Sequence, residues 1–97
     1  MAVESKSNLA VNEAMVVAAG TAVQLPDMPA GEACELVVKA KRTNKGAIKI
    51  GESATQAQSG KFTLEPGEAV KLRISNANKA YIDAEISGDK VELIVEQ

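Results

Sequence analysis

The sequence contains no histidine and no tryptophan, and one each of tyrosine, phenylalanine and cysteine in 97 residues. Without histidine, the usual general base and the usual ligands of zinc, copper and iron are gone, so no cofactor or metal is expected and the chain does not read as an enzyme. A lone cysteine excludes an internal disulfide and fits a reducing compartment. No histidine can activate Cys34 and no Lys or Arg adjoins it, so a small half-buried thiol is its expected fate. The paucity of rings removes the stacking platforms used by sugar sites and single-stranded nucleic acid. No phosphate-binding glycine motif occurs, neither G-x-x-x-x-G-K nor G-x-G-x-x-G. No run approaches the roughly 18 apolar residues of a membrane span. The opening residues interleave Glu4, Lys6, Asn8, Asn12 and Glu13 with apolar positions, unlike a signal peptide, so a soluble protein made and kept without export is expected.

The residues present describe a modest aliphatic domain. Hydrophobic residues make up 45 % of the chain, so its core must be built from Val, Ile, Leu and Ala. A single domain of this size buries little surface in reserve, which favours a homo-oligomer. Eleven basic and thirteen acidic residues leave a net charge of −2, with no global field to draw nucleic acid or an anionic membrane.

From Glu35 onward the hydrophobic period is two. Leu36, Val38 and Ala40 alternate with Val37, Lys39 and Lys41. The same rule puts Ile48 and Ile50, then Phe62 and Leu64, then Val70, Leu72 and Ile74 on inward faces. It continues with Ile82, Ala84 and Ile86, against outward Tyr81, Asp83 and Glu85, and ends with Val91, Leu93 and Val95 against Glu92, Ile94 and Glu96. Turn residues separate the runs: Asn44-Lys45-Gly46, Gly51-Glu52-Ser53, Ser59-Gly60, Pro66-Gly67 and Ser87-Gly88-Asp89. Pro66-Gly67 reads as the centre of a type II turn, and Ser87-Gly88-Asp89 as a tight hairpin. "GTAVQLP" supplies one more short strand before the loop from Asp27 to Glu32, and Glu52 to Ser59 reads as a second longer loop. The fold class is all-β: an antiparallel β-sandwich, jelly-roll-like, over residues 20–97. Residues 1–19 lack this pattern, although "NEAMVVAAG" suits a short helix or a strand. They read as an extended N-terminal arm, ordered where a partner holds it.

The candidate functional residues are those that break the polar rule of an outer surface. Val37 and Ile94 face outward, and if they meet on one sheet they seed an interface. In the arm, Val3, Leu9, Val11 and Met15 are the side chains expected to dock on a partner. Lys39, Lys41, Arg42, Lys45 and Lys49 place five basic residues in eleven with no acid among them. No recognition helix or aromatic platform accompanies them, so nucleic acid is not expected. The acidic C-terminal hairpin, with Asp83, Glu85, Asp89, Glu92 and Glu96, is their natural complement, for cross-strand pairing or subunit contact. Solvation is the expected role of Asp83 and Glu85, which share an outward face.

The series Asn44, Gly46, Ile48, Ile50, Gly51, the turn Leu64-Glu65-Pro66-Gly67-Glu68 after Gly60, and the strand Tyr81-Ile82-Asp83-Ala84 leading to Gly88-Asp89 resemble a recurrent small β-sandwich protein of tailed bacteriophages. The resemblance spans roughly residues 20 to 96 and carries no binding motif from which a site could be transferred. It implies a virion component, made in the host cytoplasm, that decorates and cements a capsid by binding the major capsid protein between capsomers, and sites where three capsomers meet favour a trimer ahead of a dimer. The alternative is a virion-surface fibre domain or a receptor- or carbohydrate-binding module on a similar sandwich.

Overall fold

The structure, a computed structural model, describes residues 9–32 and 34–96. Eight strands and one short helix follow in the order β1 (Leu9–Met15), β2 (Val23–Gln24), β3 (Glu35–Ala40), β4 (Ile48–Gly51), α1 (Ala54–Ser59), β5 (Thr63–Leu64), β6 (Ala69–Arg73), β7 (Tyr81–Ala84) and β8 (Lys90–Glu96). They form two four-stranded antiparallel sheets, β1-β8-β3-β6 (sheet A) and β2-β7-β4-β5 (sheet B), packed as an all-β sandwich.

Alternation explains the core between them. Leu36, Val38, Ile48, Ile82, Leu93 and Val95 are buried, with Ile50 at the margin, as the period-two reading expects. Val16, Leu25, Met28, Ala77 and Ala80 close the ends of the core from loops and a 3-10 turn at Ala77–Lys79. Leu72 and Ile74 are half-buried, because β6 ends sheet A and lacks a neighbour on one side. Ile86 and Phe62, expected inside, are exposed. Ile86 lies past the end of β7, and Phe62 just ahead of the two-residue β5, so neither is held by a strand.

The turns form as their residues require. At Glu65-Pro66-Gly67-Glu68 the Glu68 N–H donates to the Glu65 carbonyl at 2.9 Å, and Gly67 takes φ +88, the type II geometry. Gly88 at φ +91 serves the turn between β7 and β8 in the same way, but those strands lie in different sheets, so the segment expected to be a tight hairpin is a crossing from sheet B to sheet A.

Two expectations are corrected. The arm of residues 1–19 is in part a strand: Leu9–Met15 pairs along its length with β8, from Leu9 opposite Glu96 to Met15 opposite Lys90. Its pattern misleads because small residues, Ala10 and Ala14, turn toward the core while Leu9, Val11 and Met15 turn out. Val3 lies outside the described residues. The loop from Glu52 to Ser59 is mostly helix. The Ser53 hydroxyl caps it by accepting the Gln56 N–H, the Gln56 side chain accepts the Glu52 N–H at 2.9 Å, and Gly60 ends it at φ +68.

Candidate interaction surface

The outer faces of the two sheets differ. Sheet B is covered by α1, which lies so close to β4 that a Cβ on Gly51 would stand 2.4 Å from Gln56 Cβ and 2.5 Å from the Ala57 nitrogen. Ala57 is fully buried there, and so is Asp83 of β7. Asp83 is therefore not the solvated carboxylate expected from its outward position. Its Oδ1 accepts the Gly20 N–H at 2.9 Å and the Ala84 N–H at 2.8 Å, and its Oδ2 is buried with no hydrogen-bond partner among the described residues.

The outer face of sheet A carries the candidate residues in register. Val11 stands opposite Ile94, and Ile94 opposite Val37, so the three make one cross-strand row roughly 10 Å wide at the usual strand spacing. Val11 is 71 % exposed and Ile94 37 %. Leu9 extends the apolar surface on the next outward row, and a shallow depression of about 230 Å³ lies between Leu9, Val37, Lys71, Ile94 and Glu96.

Ion pairs bracket this row. Lys71 reaches Glu35 at 3.1 Å on one side, and Lys39 reaches Glu92 at 3.8 Å on the other. Lys41 donates to the Glu13 carboxylate across the sheet. That contact holds the Glu13 carboxyl below its ordinary value, through the hydrogen bond first and the charge of Lys41 second. The same hydrogen bond raises the Lys41 ammonium, against the opposing effect of burial. Acid and base thus meet as cross-strand pairs within one chain.

The five basic residues do not form one patch. Lys39 lies on the outer face of sheet A, Lys41 follows β3, Arg42 and Lys45 are exposed in the turn, and Lys49 belongs to sheet B, its aliphatic stem beside Gly60. Acids of the β7–β8 connection organise the backbone of that turn. Asp89, only 5 % exposed, accepts the Lys45 N–H at 3.0 Å on Oδ1 and the Gly46 N–H at 2.8 Å on Oδ2, and Glu85 accepts the Ala47 N–H at 2.9 Å. Asn44 completes the join through both its amide groups, to the N–H and carbonyl of Lys90.

Among the described residues no group of three or more Cys, Asp or Glu is placed to hold a metal, and no helix is long and apolar enough to cross a membrane. Compared with protein-family models, with curated proteins and with solved structures, the chain matches none significantly. The outer face of sheet A offers an apolar row framed by salt bridges, a pattern that suits contact with another protein.

Proposed function

We propose that this is a structural protein that binds the outside of a bacteriophage head shell between capsomers and stabilises it, with the major capsid protein as partner. The observation that carries the reading is the row Val11–Ile94–Val37, apolar, in register and facing solvent on the one broad sheet face that α1 leaves open. Covering such a row is worth on the order of 2 to 4 kcal/mol, enough to anchor a contact repeated over many sites. The strand order adds support. The order of the sheets, β1-β8-β3-β6 and β2-β7-β4-β5, supports reading the sandwich as jelly-roll-like, an architecture suited to viral shells and to lectins alike.

The rival reading, a receptor- or sugar-binding module, draws on the same connectivity. It lacks the cluster of exposed rings on which sugars stack, since Phe62 and Tyr81 are the only rings in the sequence. No catalysis is assigned.

The test is co-sedimentation with empty heads of the phage whose genome carries the gene. The purified protein should pellet with them at a saturable ratio, and Ile94→Lys should lower that binding at least tenfold while the melting temperature stays put. Failure to bind heads, together with binding on a glycan array, would transfer the assignment to the rival.

A further inference from the structure

Sheet A ends in β1 on one side and β6 on the other, and the ladder decides which of their backbone groups face away from it. The Val16 N–H donates to the Asp89 carbonyl at 3.0 Å, and the Ala40 N–H to the Glu68 carbonyl at 2.8 Å. Antiparallel ladders alternate, so in the registers of β1 with β8 and β6 with β3 the even-numbered residues bond inward. The odd-numbered residues, Leu9, Val11, Glu13 and Met15 on β1 and Ala69, Lys71 and Arg73 on β6, turn their backbone groups outward. Edges of this kind are templates for another strand unless something blunts them, and β1 carries a single charge and no proline over seven residues.

We propose that the two edges are halves of one contact: β1 of one copy adds antiparallel to β6 of the next, continuing sheet A head to tail from chain to chain. The register that sets Glu13 opposite Lys71 also sets Met15 opposite Ala69 and Val11 opposite Arg73, pairing outward-turned groups with outward-turned groups. On the inner side it brings Ala14 against Val70 and Ala10 against Ile74. Val70, Leu72 and Ile74 are half-buried there and, with Ile50 and Phe62, line an apolar groove of about 380 Å³ that the neighbour's strand would cover.

Charge selects this pairing over the symmetric ones. Two β6 edges meeting about their centre would set Lys71 against Lys71, and two β1 edges meeting about Asn12 would leave Glu13 opposite Val11 with no cation. Only the unlike edges set acid against base. Three local contacts are exchanged or shared: in the single chain the Asn12 side chain holds the Glu13 N–H at 2.8 Å, Lys41 holds one oxygen of the Glu13 carboxylate, and Glu35 holds Lys71 at 3.1 Å. All three are open to solvent, so trading them for a ladder bond and an ion pair between chains is close to even. The contact stands apart from shell binding and does not depend on it.

A charge exchange tests it, because Glu13 and Lys71 lie at opposite ends of sheet A, three strand spacings or roughly 14 Å apart within one chain, and can compensate each other only between chains. Light scattering over a dilution series should find an oligomer for the unaltered protein. Glu13→Lys and Lys71→Glu should each weaken it roughly tenfold, and the double variant should restore it. Amide exchange supplies a readout without variants: the Val11, Lys71 and Arg73 N–H groups should be protected in concentrated and not in dilute samples. A monomer at every concentration, an oligomer indifferent to both single reversals, a double variant no better than either, or edge amides unprotected on concentration would each overturn the proposal.

Discussion

Asp89 is the side chain on which the join between the β3–β4 turn and the β7–β8 turn depends, and replacing it with alanine gives a measurable answer. Its carboxylate is 5 % exposed and accepts the Lys45 N–H on both oxygens, at 3.0 and 3.1 Å, and the Gly46 N–H at 2.8 Å. A hydrogen bond to a charged acceptor contributes about 1.5 to 3 kcal/mol, and a donor stripped of its partner costs about 1 to 3 kcal/mol if water cannot replace it. Lys45 is exposed, so water recovers part of the loss at that donor, whereas Gly46 packs under Ile86 and Glu85 and is harder to reach. The sum for Asp89→Ala is a loss of about 2 to 4 kcal/mol. For a domain of this size each kcal/mol moves the melting temperature by about 4 to 8 °C, so the fall should be roughly 10 to 25 °C. Urea denaturation followed by circular dichroism measures it, with the slope expected to stay unchanged because the exposed surface does not change. Asp89→Asn keeps one acceptor oxygen and should fall between the two. A loss below about 1 kcal/mol for alanine would show that the turn carries its own conformation and that the carboxylate merely rests against it.

Three other perturbations probe the packing and the surface. Leu36→Ala, at a fully buried position, should cost about 2 to 5 kcal/mol, and Leu72→Ala at the half-buried edge clearly less; equal midpoints in urea would mean that β6 is as enclosed as β3. Gly51→Ala should destabilise by about 1 to 3 kcal/mol, since the new methyl must displace α1 backbone, and an unchanged amide spectrum for Ala54 to Ser59 would refute that packing. The Glu13–Lys41 pair stabilises the fold between two limits. The lowered Glu13 carboxyl means its contribution is present above the ordinary glutamate range and is lost as pH falls through the folded value. The raised Lys41 ammonium means its contribution is present below the ordinary lysine range and is lost as pH rises through the folded value. Glu13→Gln should therefore flatten a small mid-range plateau in the melting temperature against pH, and an identical profile would show the pair to be energetically silent.

Most of the sandwich was legible because its signal is local. Each alternating run from Glu35 to Glu96 holds a strand, with Phe62 and Ile86 the residues that fall outside it and face solvent, and Gly60, Gly67 and Gly88 fell where positive φ was needed. The strand that escaped was β1, where the inward residues are the small Ala10 and Ala14 and the outward ones are larger, so that alternation by size points the wrong way. Ser53 to Gln56 followed by Gly60 is a readable capping pattern, yet six residues are too few for a helical period to stand out. Missing α1 then misplaced Asp83. Its outward direction was right, but whether an outward residue is wet depends on what covers the sheet, and that is a tertiary fact. On the candidate surface, the outward facing of Val37 and Ile94 was visible in the sequence. Their adjacency to each other and to Val11 required the pairing of β8 between β1 and β3, which no local pattern encodes.

The asymmetry of the two outer faces bears on function through stability. Under α1, burial is tight enough to exclude a Cβ at Gly51 and to hold Asp83 with one oxygen unpartnered among the described residues, a cost that the fold accepts to close sheet B. On sheet A nothing comparable is spent. Val11 at 71 % exposure gains little from packing in the single chain, and an edge strand is served as well by a polar β-branched residue. An exposed apolar row lowers solubility without raising the stability of the monomer, so selection for folding alone does not account for it. The proposed contact would account for it, because the same side chains would stabilise an assembled state by the area they lose to solvent. The ion pairs beside the row then act as its boundary. Lys71–Glu35 and Lys39–Glu92 contribute little to stability as exposed pairs, yet they fix the direction of long side chains that would otherwise sweep over the row. With those chains tied sideways, the apolar strip stays open to a partner whose surface is flat enough to lie on a sheet.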